Sequence, residues 1–238
     1  MAYVESLSYA NNEQIHIWET GGILMLNVKT RTVKGYKELD IPFTILSRNE
    51  DSKNLAIILP GEGYTTQGPL LHYSTGVFLH KAYDVLQVNY QYKNKVYDDF
   101  TIEEISEAIK LDVKTVFDDV LTNKTYENFY LIGKSLGTIA MSYELNRECF
   151  KNAKAIWLTP LIQREDVLGA MVRSKNKGLC IIGDKDSFYT EERYSKVIEN
   201  PNITSKLILN VNHSLEYDGN AVESIDVLKS VIGEIEQF

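Results

Sequence analysis

The amino-acid sequence predicts an α/β fold built on a mostly parallel, doubly wound sheet with antiparallel strands at its N-terminal end. Short continuous apolar runs recur through residues 51–238, and such runs are typical of parallel strands buried on both faces. Segments with an apolar helical face lie between these runs. Strands that alternate with helices form right-handed crossover units, so the runs are expected to pair into one sheet.

Size and composition indicate one globular domain. The chain has 238 residues, of which 44% are hydrophobic and 24% charged, and these values suit a single domain with a substantial core. The net charge is −8, with acidic and basic residues interspersed. Nucleic acids and anionic membranes both favour clustered positive charge, so neither is expected as a partner.

The N-terminus and the cysteines favour a cytoplasmic location. Residues 1–5 lack the basic region and apolar core of a secretion signal, and no apolar run approaches the ~20 residues that span a bilayer. Cys149 and Cys180 are the only two cysteines. Cys180 lies in an apolar run, where a reduced, buried thiol is expected.

Residues 1–50 have the alternating pattern of short strands joined by tight turns. Strands are predicted at residues 3–10, 14–18, 23–28 and 41–47. The pairs Asn11-Asn12 and Gly21-Gly22 are typical of hairpin turns, whereas Pro42 weakens the start of the fourth strand. These strands are expected to lead into an α/β core at residues 51–238 within a single domain.

The core pattern begins after Asp51. Strands are predicted at residues 55–59, 85–88, 129–132, 155–158, 179–182 and 207–211. The clearest helix is predicted from Thr101 to Leu121, with Thr101 and Glu104 forming a capping box. The segment 161–177 between two core strands is short for a lid, so an open site is expected.

The most informative motif is Gly133-Lys-Ser135-Leu-Gly137, which follows one apolar run and precedes a helix-compatible segment. Gly-x-Ser-x-Gly between a strand and a helix is the pattern of a nucleophile elbow, a turn that holds its serine in a strained conformation. The alternatives are an ordinary βα turn and a phosphate-binding loop. Neither alternative requires a histidine and a carboxylate further along the chain.

A serine nucleophile needs a base, and His213 is the candidate. It follows the last apolar run, which agrees with the order nucleophile, acid, histidine. His16 lies among the N-terminal strands, and His72 and His80 lie on the helix after the first core strand. Two interpretations apply to His72, a place at the pocket mouth and a helix-surface position, and the second is favoured.

The acid that would orient the histidine is expected in the loop after residues 179–182. Asp186 lies far enough into that loop to reach across to His213. Asp184 directly follows Gly183 and is the main competitor, with a role in bracing the loop as the alternative. Asp166 is a more distant candidate.

Acyl transfer also needs donors for the developing oxyanion. One is expected to be the backbone N–H of Leu136, the residue after the nucleophile. The other is expected in the loop 60–64, where Gly61 and Gly63 let the backbone turn its amides toward a substrate. The N–H of Glu62 is the favoured second donor, and that of Gly63 is the alternative.

Gly61, Gly63, Tyr64 and Lys134 are the candidates for the substrate pocket. Lys134 occupies the first variable position of the elbow. Two interpretations apply to it: a solvated ammonium, or a group that holds an acidic part of the substrate near the mouth.

Over residues 40–238 the chain resembles the α/β-hydrolase superfamily, in particular its compact, lidless members related to dienelactone hydrolases. The resemblance is carried by Leu59–Thr65, Gly133–Thr138, Gly183–Asp186 and Asn212–Glu216. The Gly-x-x-Asp turn of the family corresponds to Gly183 through Asp186 and supports the choice of Asp186. Many relatives have His-Gly where this chain has Pro60-Gly61.

The resemblance implies the α/β-hydrolase fold and a serine hydrolase that needs no cofactor and no metal. Such an enzyme would cleave a carboxylic ester or thioester of a small molecule through an acyl-enzyme, with Ser135, His213 and Asp186 as its triad. A non-catalytic binding protein on the same fold and an acyltransferase with the same triad are the alternatives, because one fold hosts many functions.

Overall fold

A sheet of ten strands runs through the computed structural model, which describes residues 3–9, 13–19 and 26–238. The strands are β1 (Tyr3–Tyr9), β2 (Glu13–Glu19), β3 (Leu26–Lys34), β4 (Asp40–Ser47), β5 (Asn54–Leu59), β6 (Asp84–Val88), β7 (Asn128–Lys134), β8 (Lys154–Leu158), β9 (Gly178–Gly183) and β10 (Ile203–Ile208). The helices are α1 (Pro69–His80), α2 (Ile102–Asn123), α3 (Gly137–Glu144), α4 (Glu165–Val172), α5 (Glu191–Ile198) and α6 (Ala221–Gln237).

The strand order across the sheet is β1-β2-β3-β4-β6-β5-β7-β8-β9-β10. Strands β1 to β4 pair antiparallel with one another, and β4 pairs antiparallel with β6. Every pairing from β6 to β10 is parallel. The predicted fold class, a mostly parallel sheet preceded by antiparallel strands, is therefore confirmed.

Two predicted strands differ from the structure by more than two residues at one end or both, and the others agree within two residues. β10 was expected at residues 207–211 but spans Ile203–Ile208. It is an edge strand that alternates buried and more exposed residues, so it has no continuous apolar run to mark it. β3 extends to Lys34, well beyond the predicted end at residue 28. Residues 23–25 of that prediction, and both predicted turns, at 11–12 and 21–22, lie outside the described residues.

Helices cover both faces of the sheet, and each face has its own apolar cluster. One cluster packs the sheet against α2, α3, α4 and α5, and the other packs it against α1 and α6. The capping box at the start of α2 is present: Glu104 N–H donates to Thr101 Oγ1 at 3.1 Å, and Thr101 N–H donates to Glu104 Oε2 at 3.0 Å. None of the helices in residues 26–238 has both the length and the apolar character needed to cross a bilayer.

The parallel strands bring separate loops to one edge. β5, β7, β9 and β10 all end at the same side of the sheet, since they run parallel to one another. Function in sheets of this kind concentrates at the carboxyl ends of the strands. The segments that follow these strands carry the predicted loop 60–64, Ser135, Asp186 and His213.

Candidate active site

Ser135 lies in the sharp turn between β7 and α3. Its backbone φ is +50°, a left-handed conformation that non-glycine residues rarely adopt. Its N–H donates to the carbonyl oxygen of Leu158 at 3.0 Å, which ties the turn to the end of the neighbouring strand β8. The side chain is half-buried, so its hydroxyl remains accessible at the edge of the sheet.

The two glycines of the motif are required by close packing. A Cβ on Gly133 would lie 3.1 Å from the Met141 sulfur and 3.2 Å from the carbonyl oxygen of Gly137. A Cβ on Gly137 would lie 2.2 Å from the carbonyl oxygen of Leu59, which is far inside contact distance. The absence of a side chain two residues before and two residues after Ser135 therefore has a steric basis in this fold.

His213 connects Ser135 to Asp186. Its Nε2 lies 2.8 Å from Ser135 Oγ, and its Nδ1 lies 2.8 Å from Asp186 Oδ2. The second carboxylate oxygen of Asp186 accepts the Phe188 N–H at 2.8 Å, and the Asp186 side chain is fully buried. The carboxylate is held from both sides, and it holds the imidazole toward Ser135.

The other acid candidates lie elsewhere. Asp184 Oδ1 accepts the backbone N–H of Asn210, so this carboxylate braces the loop after β9. Asp166 pairs with Arg164 at the start of α4. Of the three carboxylates considered from the sequence, Asp186 is the one in contact with His213.

His72 and His80 take no part in this cluster. His72 is exposed on α1 with its ring against Tyr73, as the helix-surface interpretation expected. His80, also exposed, bonds through Nδ1 to the carbonyl oxygen of Gly76 in the same helix. His16 lies in β2, outside the part of the chain whose side chains the structure describes.

The loop 60–64 passes directly beside Ser135. A Cβ on Gly61 would lie 3.3 Å from Ser135 Cβ, and the N–H of Gly61 donates to the carbonyl oxygen of Tyr64 at 3.2 Å. The N–H groups of Leu136 and Glu62 donate to no group within residues 26–238. Both amides are therefore available to an external acceptor.

A buried tyrosine fixes the start of this loop. Tyr90 is 4% exposed, and its hydroxyl donates to the carbonyl oxygen of Pro60 at 2.6 Å. No sequence motif marked Tyr90 for this contact. Its signal in the sequence was weak, since it was one of several tyrosines near strand ends.

Lys134 is buried, so of its two interpretations the solvated ammonium is wrong. The residue is 1% exposed, and Nζ donates to Thr159 Oγ1 and to the carbonyl oxygen of His213, both at 3.0 Å. It is the last residue of a central strand that helices cover on both faces, which is why its side chain is enclosed. Burial lowers the pKa of Lys134 to about 8, while the charges of Asp186 and Glu216 oppose that shift.

A cavity of about 590 Å³ lies between α1 and α6, beside the loop of His213. Tyr64 and Ser214 border it, and its apolar lining includes Leu70, Ile225 and Leu228.

Of the other predicted pocket residues, Gly61 adjoins Ser135, as described above. Gly63 faces Lys93, because a Cβ there would lie 2.6 Å from Lys93 Nζ. Within the described residues, no group of three or more His, Cys, Asp or Glu side chains is arranged to hold a metal ion.

Solved structures with the same architecture cover most of the chain. A putative alpha/beta hydrolase of unknown function from Agrobacterium tumefaciens matches with a TM-score of 0.65 and 19% identity, over 87% of this chain and 93% of that one. The chain has the α/β-hydrolase fold. A serine hydrolase without a lid from Xanthomonas campestris matches equally well, with a TM-score of 0.65 and 14% identity, over 88% and 94% of the two chains.

An esterase from Pyrococcus furiosus shares the α/β-hydrolase fold with this chain, at a TM-score of 0.63 and 18% identity over 88% of this chain and 92% of that one. No protein-family model and no curated protein matches the sequence. The similarity therefore concerns the fold.

Proposed function

We propose that this protein is a serine hydrolase that cleaves a carboxylic ester or thioester of a small molecule through an acyl-enzyme. One observation carries the proposal: Ser135 Oγ, the His213 imidazole and the Asp186 carboxylate form a continuous hydrogen-bonded chain with both links at 2.8 Å. This is the arrangement of nucleophile, base and orienting acid that activates a serine hydroxyl.

Attack begins with proton transfer. His213 Nε2 accepts the proton of Ser135 as Oγ attacks the carbonyl carbon of the substrate. Asp186 holds the proton on Nδ1, which leaves Nε2 free to act as the base, and it stabilises the imidazolium that forms. The buried position of the carboxylate keeps this interaction away from water.

The oxyanion of the tetrahedral intermediate needs fixed donors. The unpaired N–H groups of Leu136 and Glu62 are the proposed pair, since one follows the nucleophile and the other lies in the loop beside it. His213 then gives its proton to the leaving alcohol or thiol. Water attacks the acyl-enzyme by the same route in reverse and releases the acid.

The surroundings of the site favour an open site. The segment between β8 and β9 contains only the eight-residue helix α4 and short turns, so it is short for a lid. The solved relatives named as a serine hydrolase without a lid and as an esterase have the same fold. These names support esters as the first class of compound to examine.

Covalent labelling tests the proposal. A fluorophosphonate probe should modify the wild-type protein, and peptide mass spectrometry should place the adduct on Ser135. Ser135→Ala should not be labelled, whereas Ser142→Ala should be labelled normally, because Ser142 Oγ bonds within α3 to the carbonyl oxygen of Ile139. A folded wild-type protein that never reacts would contradict the proposal.

Turnover separates the remaining possibilities. Esters and thioesters of graded acyl length, beginning with p-nitrophenyl acetate and butyrate, should be hydrolysed by the wild type and not by Ser135→Ala. Equal residual rates in the two proteins would favour a binding protein on the same fold. Product formation that depends on an added alcohol or amine would favour acyl transfer instead of hydrolysis.

A further inference from the structure

A buried lysine connects the nucleophile strand to the histidine loop. Lys134 immediately precedes Ser135, and its Nζ donates to the carbonyl oxygen of His213 at 3.0 Å. The same Nζ donates to Thr159 Oγ1 at the end of β8, also at 3.0 Å. One amine therefore bonds two segments that are far apart in the sequence and that meet at the active site.

The same amine also touches the proposed oxyanion loop. Its Nζ lies 4.8 Å from the centre of the Tyr64 ring, within the range of a cation–π contact. Tyr64 is itself fixed, because its hydroxyl accepts the Leu70 N–H at 2.9 Å. The ammonium is thus a common point of contact for the loop of His213, the loop 60–64 and the strand that carries the nucleophile.

The loop of His213 is otherwise held mainly by bonds within itself. Asn212 Oδ1 accepts the N–H groups of Ser214 and Glu216, and Asn212 N–H donates to the carbonyl oxygen of Glu216. The loop is also tied to the segment after β9, through Asp184 to the Asn210 N–H, through the Lys185 N–H to the carbonyl oxygen of Val211, and through Asp186 to the His213 ring. None of these bonds joins the backbone of His213 to the strand that carries Ser135. The bond from Lys134 does join them, since it starts one residue before the nucleophile and ends on the carbonyl oxygen of His213.

Burying the Lys134 ammonium and straining the Thr159 backbone both cost free energy of folding. An ammonium at 1% exposure loses its hydration, whereas the residues before it in β7 are apolar. Its partner Thr159 is fully buried with φ at +43°, a strained conformation for a β-branched residue. Strain and buried charge that meet at one point are typical of functional sites.

We propose that Lys134 is a positioning residue that holds the backbone of His213 at the correct distance from Ser135, with Thr159 fixing the direction of the ammonium. The inference rests on the proposed hydrolase function, because it assigns Lys134 to the geometry of the same triad. Lys134 itself does not contact the reacting atoms. Its loss should therefore lower turnover more than substrate binding.

The test compares Lys134→Met with Lys154→Met. Lys154 Nζ likewise donates to a main-chain oxygen, that of the last residue Phe238 at 2.6 Å, and to a hydroxyl, that of Tyr130 at 2.8 Å. It also lies over the Tyr130 ring. Lys154 is partly buried and lies at the opposite end of the sheet. The pair therefore separates the loss of an amine bonded in this way from the loss of the contact with His213.

Lys134→Met is expected to lower kcat by about 10²-fold, the size of effect that a small misplacement of catalytic groups produces. KM for p-nitrophenyl acetate should stay within about 3-fold of wild type, and Lys154→Met should leave both constants near wild type. The downfield proton resonance of the His213–Asp186 hydrogen bond, assigned by its loss in His213→Gln, should broaden or shift in Lys134→Met alone. An unchanged kcat and an unchanged resonance in a folded Lys134→Met would overturn the proposal.

A second pair decides the matter if Lys134→Met does not fold. Thr159→Val removes one acceptor of the ammonium at nearly constant volume, and Thr159→Ser retains the hydroxyl. The valine variant should lower kcat and disturb the His213 resonance, and the serine variant should restore both. Equal behaviour of the two would refute the role of the hydroxyl in directing Lys134.

A wild type without esterase activity would refute the proposed function, while the resonance would still report on the position of His213.

Discussion

Gly137 packs against Leu59 so closely that a Cβ on the glycine would lie 2.2 Å from the leucine carbonyl oxygen. This contact joins the first turn of α3 to the end of β5. It brings the nucleophile turn against the loop 60–64, where a Cβ on Gly61 would in turn lie 3.3 Å from Ser135 Cβ. The two proposed sources of oxyanion donors are therefore adjacent because Gly137 has no side chain.

Gly137→Ala should lower stability and activity together. The added methyl group has to push β5 and α3 apart, and such overpacking costs about 1–3 kcal/mol. It should also separate the amides of Leu136 and Glu62 and lower kcat/KM. Gly233→Ala is the control, since a Cβ at that position of α6 meets no atom within 4 Å. Urea unfolding should show that the control is stabilised by up to about 1 kcal/mol, and equal effects of both changes would contradict the steric argument.

Asp186→Asn should abolish most of the activity, whereas Asp184→Asn should not. An amide at residue 186 cannot hold the imidazole in the tautomer that leaves Nε2 free, and loss of this function in a serine triad costs about 10⁴-fold in kcat. Asp184 bonds the backbone of Asn210, so its amide variant should affect stability more than turnover. Steady-state rates on one activated ester compare the two, and a larger loss at residue 184 would reject Asp186 as the acid.

Tyr90→Phe should weaken the proposed oxyanion site without touching the triad. The change removes the donor to the carbonyl oxygen of Pro60 and leaves that buried oxygen unpaired, at a cost of about 1–3 kcal/mol. We expect kcat to fall by about 10-fold, because the loop that carries the Glu62 amide is less well fixed.

Tyr130→Phe is the matched control for Tyr90→Phe. The Tyr130 hydroxyl also donates to a main-chain oxygen, that of Phe238 at the far end of the sheet, which keeps a second donor in Lys154 Nζ. Both variants should unfold at lower urea concentration than wild type, and only Tyr90→Phe should lose activity. Loss of activity in both would show that general destabilisation accounts for the effect.

The buried amine of Lys134 predicts a pH dependence of stability. Burial lowers its pKa from the ordinary 10.5 to about 8, against the opposing charges of Asp186 and Glu216 and close to the ring of Tyr64. Between these two values the unfolded chain keeps the proton and the folded chain releases it, so the contribution of this group to stability rises with pH.

The free energy of unfolding of wild type minus that of Lys134→Met should therefore increase by about 2 kcal/mol from about pH 7.5 to about pH 9.5. Other groups that titrate in this range are common to both proteins and cancel in the difference. Urea unfolding at several pH values measures it. A difference that stays constant or falls with pH would show that Lys134 keeps its charge in the folded protein.

Local patterns in the sequence predicted the larger part of the fold. Continuous apolar runs predicted the core strands β5 to β9, and the Thr101–Glu104 capping box predicted the start of α2. These features depend on neighbouring residues alone, since strand burial, helical periodicity and capping are all short-range. The edge strand β10 was misplaced because an edge strand lacks the continuous run that marks a central one.

By itself, the sequence determined the fold class, the strained serine turn and the short set of residues from which a site could be assembled. Tertiary structure decided that Asp186 and not Asp184 contacts His213, that Tyr90 fixes Pro60, and that Lys134 is enclosed. These outcomes depend on how the ends of separate strands are aligned by packing across the sheet. No local pattern encodes that alignment, because the atoms that meet there belong to segments distant in the chain.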